Sequence, residues 1–271
     1  MSFLDLLFLY VMITSIQPII NKRMIESARQ KLIGKIEKKR NSRVILLVHR
    51  QETMNYLGFP VYRYIDINDS EEVIRAISMT DPSIPLNIIL HTPGGLVLAS
   101  LQIARAIKRH KGKITVHVPH HAMSGGTLIA LAADEIVMAK DAVLGPVDPQ
   151  IGEYPAVSIL KLIKEKPISE IDDKMLILAD VAQKALNQTK EAVKELLSGN
   201  YPDDVAENIA NSLVEGKWTH DYPITYEMAK ELGLKVRCDI DPEIQQLMSL
   251  YPQPIQKKGS VEYLPFSKFN K

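Results

Sequence analysis

Two stretches decide the fold of this chain: I-I-L-H-T-P-G-G, residues 88–95, and I-T-V-H-V-P-H-H-A-M-S-G-G-T, residues 114–127. Each is an apolar run of strand length that stops at a pair of glycines. A helical pattern follows each, so both read as strand, tight turn, helix. The second places a single serine, Ser124, where its helix should begin. A helix N-terminus carries unpaired N–H groups, and Gly94, Gly95, Gly125 and Gly126 let backbone approach backbone closely. N–H groups of Gly125 and of Gly94 or Gly95 would then face one carbonyl oxygen. Two such donors stabilise a tetrahedral oxyanion, each by about 2.7–4 kcal/mol. The pattern points to acyl transfer, with peptide hydrolysis as its leading form. A serine is also a good N-cap, so either turn by itself is weak evidence.

Working outward, the chain alternates. Strands are expected at 44–49, 62–67, 86–91, 114–118 and 135–139, with a short strand or turn at 144–147. Helices are expected at 70–78, with Ser70 as N-cap, and at 96–109 and 125–133. Alternation of this kind implies a mainly parallel sheet with helices packed on it. From 169 to 215 the pattern is wholly helical, with helices at 171–197 and 203–213. A last helix at 225–231 is closed by Gly233. The tail from Tyr251 carries Pro252, Pro254 and Pro265, lacks periodicity and reads as an extended arm or a disordered one.

The 271 residues suffice for one large domain with a solid core, or one and a half. A formal net charge of +1 leaves no overall nucleic-acid footprint. The single cysteine, Cys238, excludes an internal disulfide and fits a reducing compartment. It reads first as a small, buried apolar residue.

Charge is unevenly spread. Residues 1–20 hold one acid, Asp5, and no Lys or Arg; residues 21–43 hold nine Lys or Arg against Glu26 and Glu37. The apolar run 2–20 spans roughly 28 Å as a helix, close to a bilayer core. Its bases follow the run and no cleavage site is apparent, so it reads as an uncleaved anchor. The positive-inside rule then puts the basic helix 21–43 and everything after it in the cytoplasm. Asp5, Gln17 and Pro18 favour the rival reading, an interfacial or partner-docking helix.

H-T-P-G-G-L-V-L-A and H-A-M-S-G-G-T-L-I-A-L-A-A-D-E-I-V-M resemble the Clp/crotonase-fold serine peptidases. These include the Clp proteolytic subunit, signal peptide peptidase A and the membrane-anchored serine dehydrogenase proteinase type. The resemblance covers the apolar start and the G-P-V-D-P-Q turn, and leaves out only the tail. It implies an α/β crotonase/Clp-like spiral with a helical C-terminal region, preceded by a membrane-anchor helix. It further implies Ser124 as nucleophile, Gly94, Gly95 and Gly125 at the oxyanion hole, and a ring or stack of subunits. The expected division is anchor 1–20, basic linker helix 21–43, β/α core 44–168, helical region 169–237 and tail 238–271.

The base is the open element. The Clp subunit takes a histidine shortly after the next strand, and residues 144–151 hold none. Signal peptide peptidase A takes a lysine at the start of a later helix, and D-D-K-M-L-I-L places Lys174 there. A lysine base must be neutral, which asks for a dry, apolar setting. Lys184 shares its helical face and is the alternative; Lys161 and Lys164 come third. His120 and His121 read first as loop histidines, with a cleft role in reserve. The pair lacks a third ligand at metal spacing, so no metal site is expected. His220, in G-K-W-T-H-D-Y-P, is a minor catalytic candidate, and Asp148 reads as a turn residue.

Together these features read as a membrane-anchored serine endopeptidase with a Ser124–Lys174 dyad and no cofactor. It acts on extended peptides or membrane-protein remnants and assembles with copies of itself. The rivals are an acyl-CoA enzyme of the same fold and a non-catalytic, peptide-binding membrane scaffold.

Overall fold

The computed structural model describes residues 3–49 and 63–251, with the side chains of residues 3–15 and 18 left out. The chain opens with one unbroken helix, α1 (Phe3–Arg40), which crosses the expected boundary between anchor and linker. Among the described residues, no helix is long and apolar enough to cross a membrane.

The elements that follow are β1 (Arg43–Val48), α2 (Ile67–Ser78), β2 (Leu86–His91), α3 (Val97–Arg109), β3 (Ile114–Val118) and β4 (His121–Ala122). Next come α4 (Gly125–Leu131), β5 (Glu135–Met138), β6 (Val143–Leu144), β7 (Gln150–Ile151), β8 (Tyr154–Pro155) and α5 (Ala156–Glu165). A short 3₁₀ turn leads to α6 (Asp173–Leu197), α7 (Asp203–Val214), α8 (Tyr226–Glu231), β9 (Val236–Arg237) and α9 (Pro242–Ser249).

The main sheet has the order β1-β2-β3-β5-β9 and every pair in it is parallel. Every residue of β2 and β3 is buried, as a parallel sheet covered on both faces requires. At their C-terminal ends β2, β3 and β5 step into a second, shorter layer. Thr92 bridges Ala122, β4 runs parallel to β6, and Leu144 bridges Ile224. Successive β/α turns thus extend both layers, within the expected α/β class with a parallel sheet. The two glycine turns lie where the layers meet.

Several local expectations need correction. Cys238, expected to be buried, is exposed just after β9. Residues 63–66 do not form a strand: Ile65 makes one isolated bridge to Gly95 and α2 begins at Ile67; Tyr62, where the expected strand starts, lies outside the described residues. Ser70 is not the cap of α2. Asp66 caps it, in a reciprocal box with Asp69, and Ser70 is buried in the first turns. The expected tail from 238 contains α9, whose Ile244, Leu247 and Met248 pack with Ile36 of α1 and with Val44 and Ile89. Arg40, Lys35 and Lys39 of α1 pair with Asp241 and Glu243 at the start of α9. Tyr251 stacks under Arg29, and the rest of the tail lies outside the described residues. The helix α5 was not expected. It pairs with the first half of α6 around Ile159, Ala179 and Ala182, a satellite cluster apart from the main core.

Candidate active site

Ser124 immediately precedes α4 in a backbone conformation that side chains rarely adopt, φ 49° and ψ −114°. Such a residue stores about 1–3 kcal/mol of strain and persists only where its surroundings enforce it. The hydroxyl does not cap the helix: it makes no side-chain cap hydrogen bond. The bland reading of this serine as an N-cap therefore fails, and a half-buried Oγ is left without a partner among the described residues.

What holds it there is contact between the two glycine turns. Gly94 sits at φ 105°, and a methyl group on it would lie 2.8 Å from Ser124 Cβ and 3.1 Å from the Gly125 nitrogen. A methyl on Gly125 would lie 2.2 Å from Ser100 Oγ and 3.4 Å from the Gly95 nitrogen. A methyl on Gly95 would strike the Ile65 backbone at 2.3 Å. Only glycine fits each of these three approaches.

The N–H groups then sort themselves. That of Gly94 donates to Thr92 Oγ1 at 3.1 Å. Those of Gly95 and Gly125 meet no acceptor among the described residues. Around Gly95 the ladder runs through its neighbours instead: Ile65 donates to the Gly94 carbonyl and Leu96 donates to the Ile65 carbonyl, each at 2.8 Å. Thr92 Oγ1 also lies 3.0 Å from Nδ1 of buried His49, whose Nε2 lies 3.2 Å from Asp69. The first turn is thus braced from behind.

The expected lysines sit elsewhere. Lys174 is exposed on the first turn of α6, beside Asp172, which caps that helix by accepting from the Met175 nitrogen at 2.7 Å. Lys184 is exposed and paired with Asp180 at 2.5 Å. Lys161 pairs with Glu165 on another exposed face. Lys164 lines a cavity of about 440 Å³ between α5 and α6, with Lys190 and Glu215. Of the adjacent histidines, His121 packs its ring 4.3 Å from that of His91, and His120 lies edge-on to His91 at 5.7 Å. Burial, and then His120, push the His121 ring below the ordinary histidine value. Among the described residues, no cluster of His, Cys, Asp or Glu could hold a metal ion.

One pairing lies outside sequence reasoning altogether. His220 Nδ1 is 2.8 Å from Oδ1 of Asp148, a carboxylate almost wholly buried in the G-P-V-D-P-Q turn. The hydrogen bond to Asp148 outweighs burial and holds the imidazole above its ordinary range. Both residues stood out in the sequence singly, but 72 positions separate them.

Two proteins of Methanocaldococcus jannaschii, MJ0137 and MJ1495, are 51% and 50% identical to this chain. The matches cover 96% and 95% of this chain and 90% and 88% of theirs. The probable protease SohB of Haemophilus influenzae is 27% identical over 62% of this chain and 55% of its own. Among solved structures, the 1510-N membrane-bound stomatin-specific protease superposes with a TM-score of 0.46 at 23% identity, over 69% of this chain and 79% of that one. The family model of the ClpP-like SDH-type serine proteinases matches residues 1–271, and the chain belongs to that family of serine peptidases.

Proposed function

We propose that this peptidase is an endopeptidase in which Ser124 attacks the scissile carbonyl, while the Gly95 and Gly125 N–H groups receive the oxyanion. The observation that carries the reading is the uncapped Ser124 hydroxyl at a strained φ, set between two glycine N–H groups with no acceptor of their own. Gly94 takes the supporting role, because its N–H is already committed to Thr92. An acyl-enzyme forms on Ser124 and water releases it. The test is a fluorophosphonate probe on the folded protein, with the adduct mapped by mass spectrometry. Labelling at Ser124, with loss of peptide hydrolysis in Ser124→Ala, is expected. A variant that keeps full activity would favour an acyl-CoA enzyme of this fold, and an unlabelled Ser124 would favour a scaffold that only binds peptides.

Two groups compete for the role of base, on different grounds. Lys174, with Lys184 behind it, rests on the family resemblance. In its support, the next residue, Met175, and Ile151, three positions beyond Asp148, pack against the same cluster around Ile159 and Ala179. Against it stands its place on the exposed first turn of α6. His220 rests on the geometry, its Nδ1 held 2.8 Å from Oδ1 of buried Asp148.

Membrane attachment through residues 2–20 belongs to the same reading and is supported by the apolar run and the nine bases behind it. Its natural substrates would be extended chains, including membrane-protein remnants. Flotation with liposomes, lost on deleting residues 1–20, tests the attachment. Self-assembly is supported by exposed Ile168, Ile177 and Val181 at the tip and along the face of the α5–α6 hairpin.

A further inference from the structure

We propose that His49 is a positioning residue of the Ser124 site: through the Thr92 hydroxyl it sets the turn that aims the Gly95 N–H at the oxyanion. The proposal rests on the serine-peptidase reading above. Its ground is a buried, fully partnered imidazole that attack on the carbonyl does not use. His49 follows β1 directly, and its backbone N–H donates to the His91 carbonyl at 2.6 Å, one step past Val48 and His91, the last pair of the β1–β2 register. That step puts the imidazole beside Thr92, where the first glycine turn begins. The residue is 4% exposed, and both ring nitrogens are committed. Nδ1 lies 3.0 Å from Thr92 Oγ1, and Nε2 lies 3.2 Å from Asp69 Oδ2. A buried imidazole needs a partner for each nitrogen, and these two partners come from separate elements, the turn after β2 and the start of α2.

The partners assign the hydrogens. A carboxylate only accepts, and Asp69 Oδ2 already accepts from the Asp66 nitrogen at 2.9 Å, so Nε2 carries the hydrogen that meets it. In the neutral ring Nδ1 is then the acceptor, and it takes the hydrogen of the Thr92 hydroxyl. With that hydrogen engaged, Oγ1 turns a lone pair to the Gly94 N–H, which donates to it at 3.1 Å. The rival acceptor for the hydroxyl, the Gly94 carbonyl, lies further off at 3.4 Å and already accepts from the Ile65 nitrogen at 2.8 Å. The other branch of the side chain is fixed as well. A methyl on Gly126 would lie 2.6 Å from Thr92 Cγ2, so the threonine methyl packs on the first turn of α4. Thr92 is wholly buried, and its backbone donates to the His121 carbonyl and accepts from Met123, the residue before Ser124. One threonine thus touches both glycine turns, and His49 decides which way its hydroxyl points.

The relay ends at Gly95. One peptide plane carries the Gly95 N–H on one side and the Gly94 carbonyl on the other. It lies between two glycines, at φ 105° and 157°, so no side chain of its own restricts its rotation. It is held from outside instead, at the Gly94 carbonyl by Ile65 and at the Gly94 nitrogen by Thr92. Without His49 the Thr92 hydroxyl is free to turn, and the second of these holds loosens. A donor serves an oxyanion best when it is fixed before the charge develops. A loosened donor therefore slows the chemical step and leaves substrate binding nearly as it was. His49 and Asp69 also line a cavity of about 740 Å³ that opens beside Gly95 and Leu96, so the relay sits next to the oxyanion position and not in the distant core.

The experiment compares the full chain with His49→Asn, His49→Leu, Thr92→Val and the double variant of the last two. It reads kcat and KM for peptide hydrolysis, the rate of fluorophosphonate labelling at Ser124, and folding by circular dichroism. Asn places an amide oxygen where Nδ1 lies and keeps an acceptor for Thr92; Leu fills the space without one. His49→Leu is expected to lower kcat by about 10- to 100-fold, the scale of a displaced catalytic donor, with KM within about twofold of wild type. His49→Asn should recover most of that loss, and Thr92→Val should match His49→Leu. The double variant should be no slower than either single one, because both break the same relay. Rescue by Asn is what a merely structural role does not give, since Asn also gives up Asp69 and the ring packing. If His49→Leu does not fold, Thr92→Val, with Thr92→Ser as its rescue, carries the test. A folded His49→Leu or Thr92→Val with wild-type kcat overturns the proposal. So does His49→Asn as slow as His49→Leu, or losses that add in the double variant. A wild-type Ser124 that never labels overturns the serine-peptidase reading itself, a distinct result.

Discussion

Ser124 carries a measurable cost for its position. At φ 49° a side chain is strained and glycine is not. Ser124→Gly should therefore be more stable than Ser124→Ala by about 1 kcal/mol, while both are inactive. Urea unfolding midpoints check this, and equal midpoints would mean that the backbone is not strained there. The trade is one seen at many sites, where a reactive geometry is held against local preference. Its restraints are specific contacts: Gly94 against Ser124, Gly125 against Ser100, and Gly95 against Ile65.

Among the elements, α1 shows most clearly how a sequence feature changes meaning in three dimensions. Its basic run is not only a solvated face or a lipid-facing one. Lys35, Lys39 and Arg40 pair with Asp241 and Glu243, while Ile36 is 1% exposed against α9. Burial pushes the Asp241 carboxyl up, but Arg40 and then Lys39 outweigh it and hold it below its usual value. A depressed carboxylate adds stability that is present above its unfolded pKa, about 3.9, and is lost as pH falls through the folded one. Docking of α1 on α9 should therefore weaken below about pH 4, and Asp241→Asn should already weaken it at neutral pH. Hydrogen exchange of the amides of residues 32–40 reads this directly. Unchanged protection in the variant at neutral pH would show that the apolar contacts alone hold the helix.

At the scale of the whole molecule, the α5–α6 hairpin stands apart from the main core, joined to it chiefly through Val193, Leu196 and Leu197 at the far end of α6. Ile177 and Val181 lie one turn apart on its exposed face. If this face meets a second copy, Ile177→Lys should lower the mass seen by light scattering while leaving the circular dichroism spectrum intact. An unchanged mass would move the subunit contact elsewhere.

The strand–turn–helix units, the parallel class of the sheet and the three glycines beside Ser124 were legible from residues alone. They depend on periodicity and turn chemistry, which act over a few neighbours. The capping of α2 was misread by four residues because Asp66 and Ser70 are both plausible caps and only the chain path chose between them. The helices α5 and α9 escaped notice because their apolar faces are completed by α6 and α1, far away in sequence. Local residue patterns alone specified that a serine and two glycine turns would meet at the ends of adjacent strands. That the serine is strained and its hydroxyl uncapped, and that Asp148 and His220 face one another, emerges only from the folded chain. A hydrogen bond across 72 residues leaves no local signature, since it exists only once the second layer of the spiral has set both strands side by side.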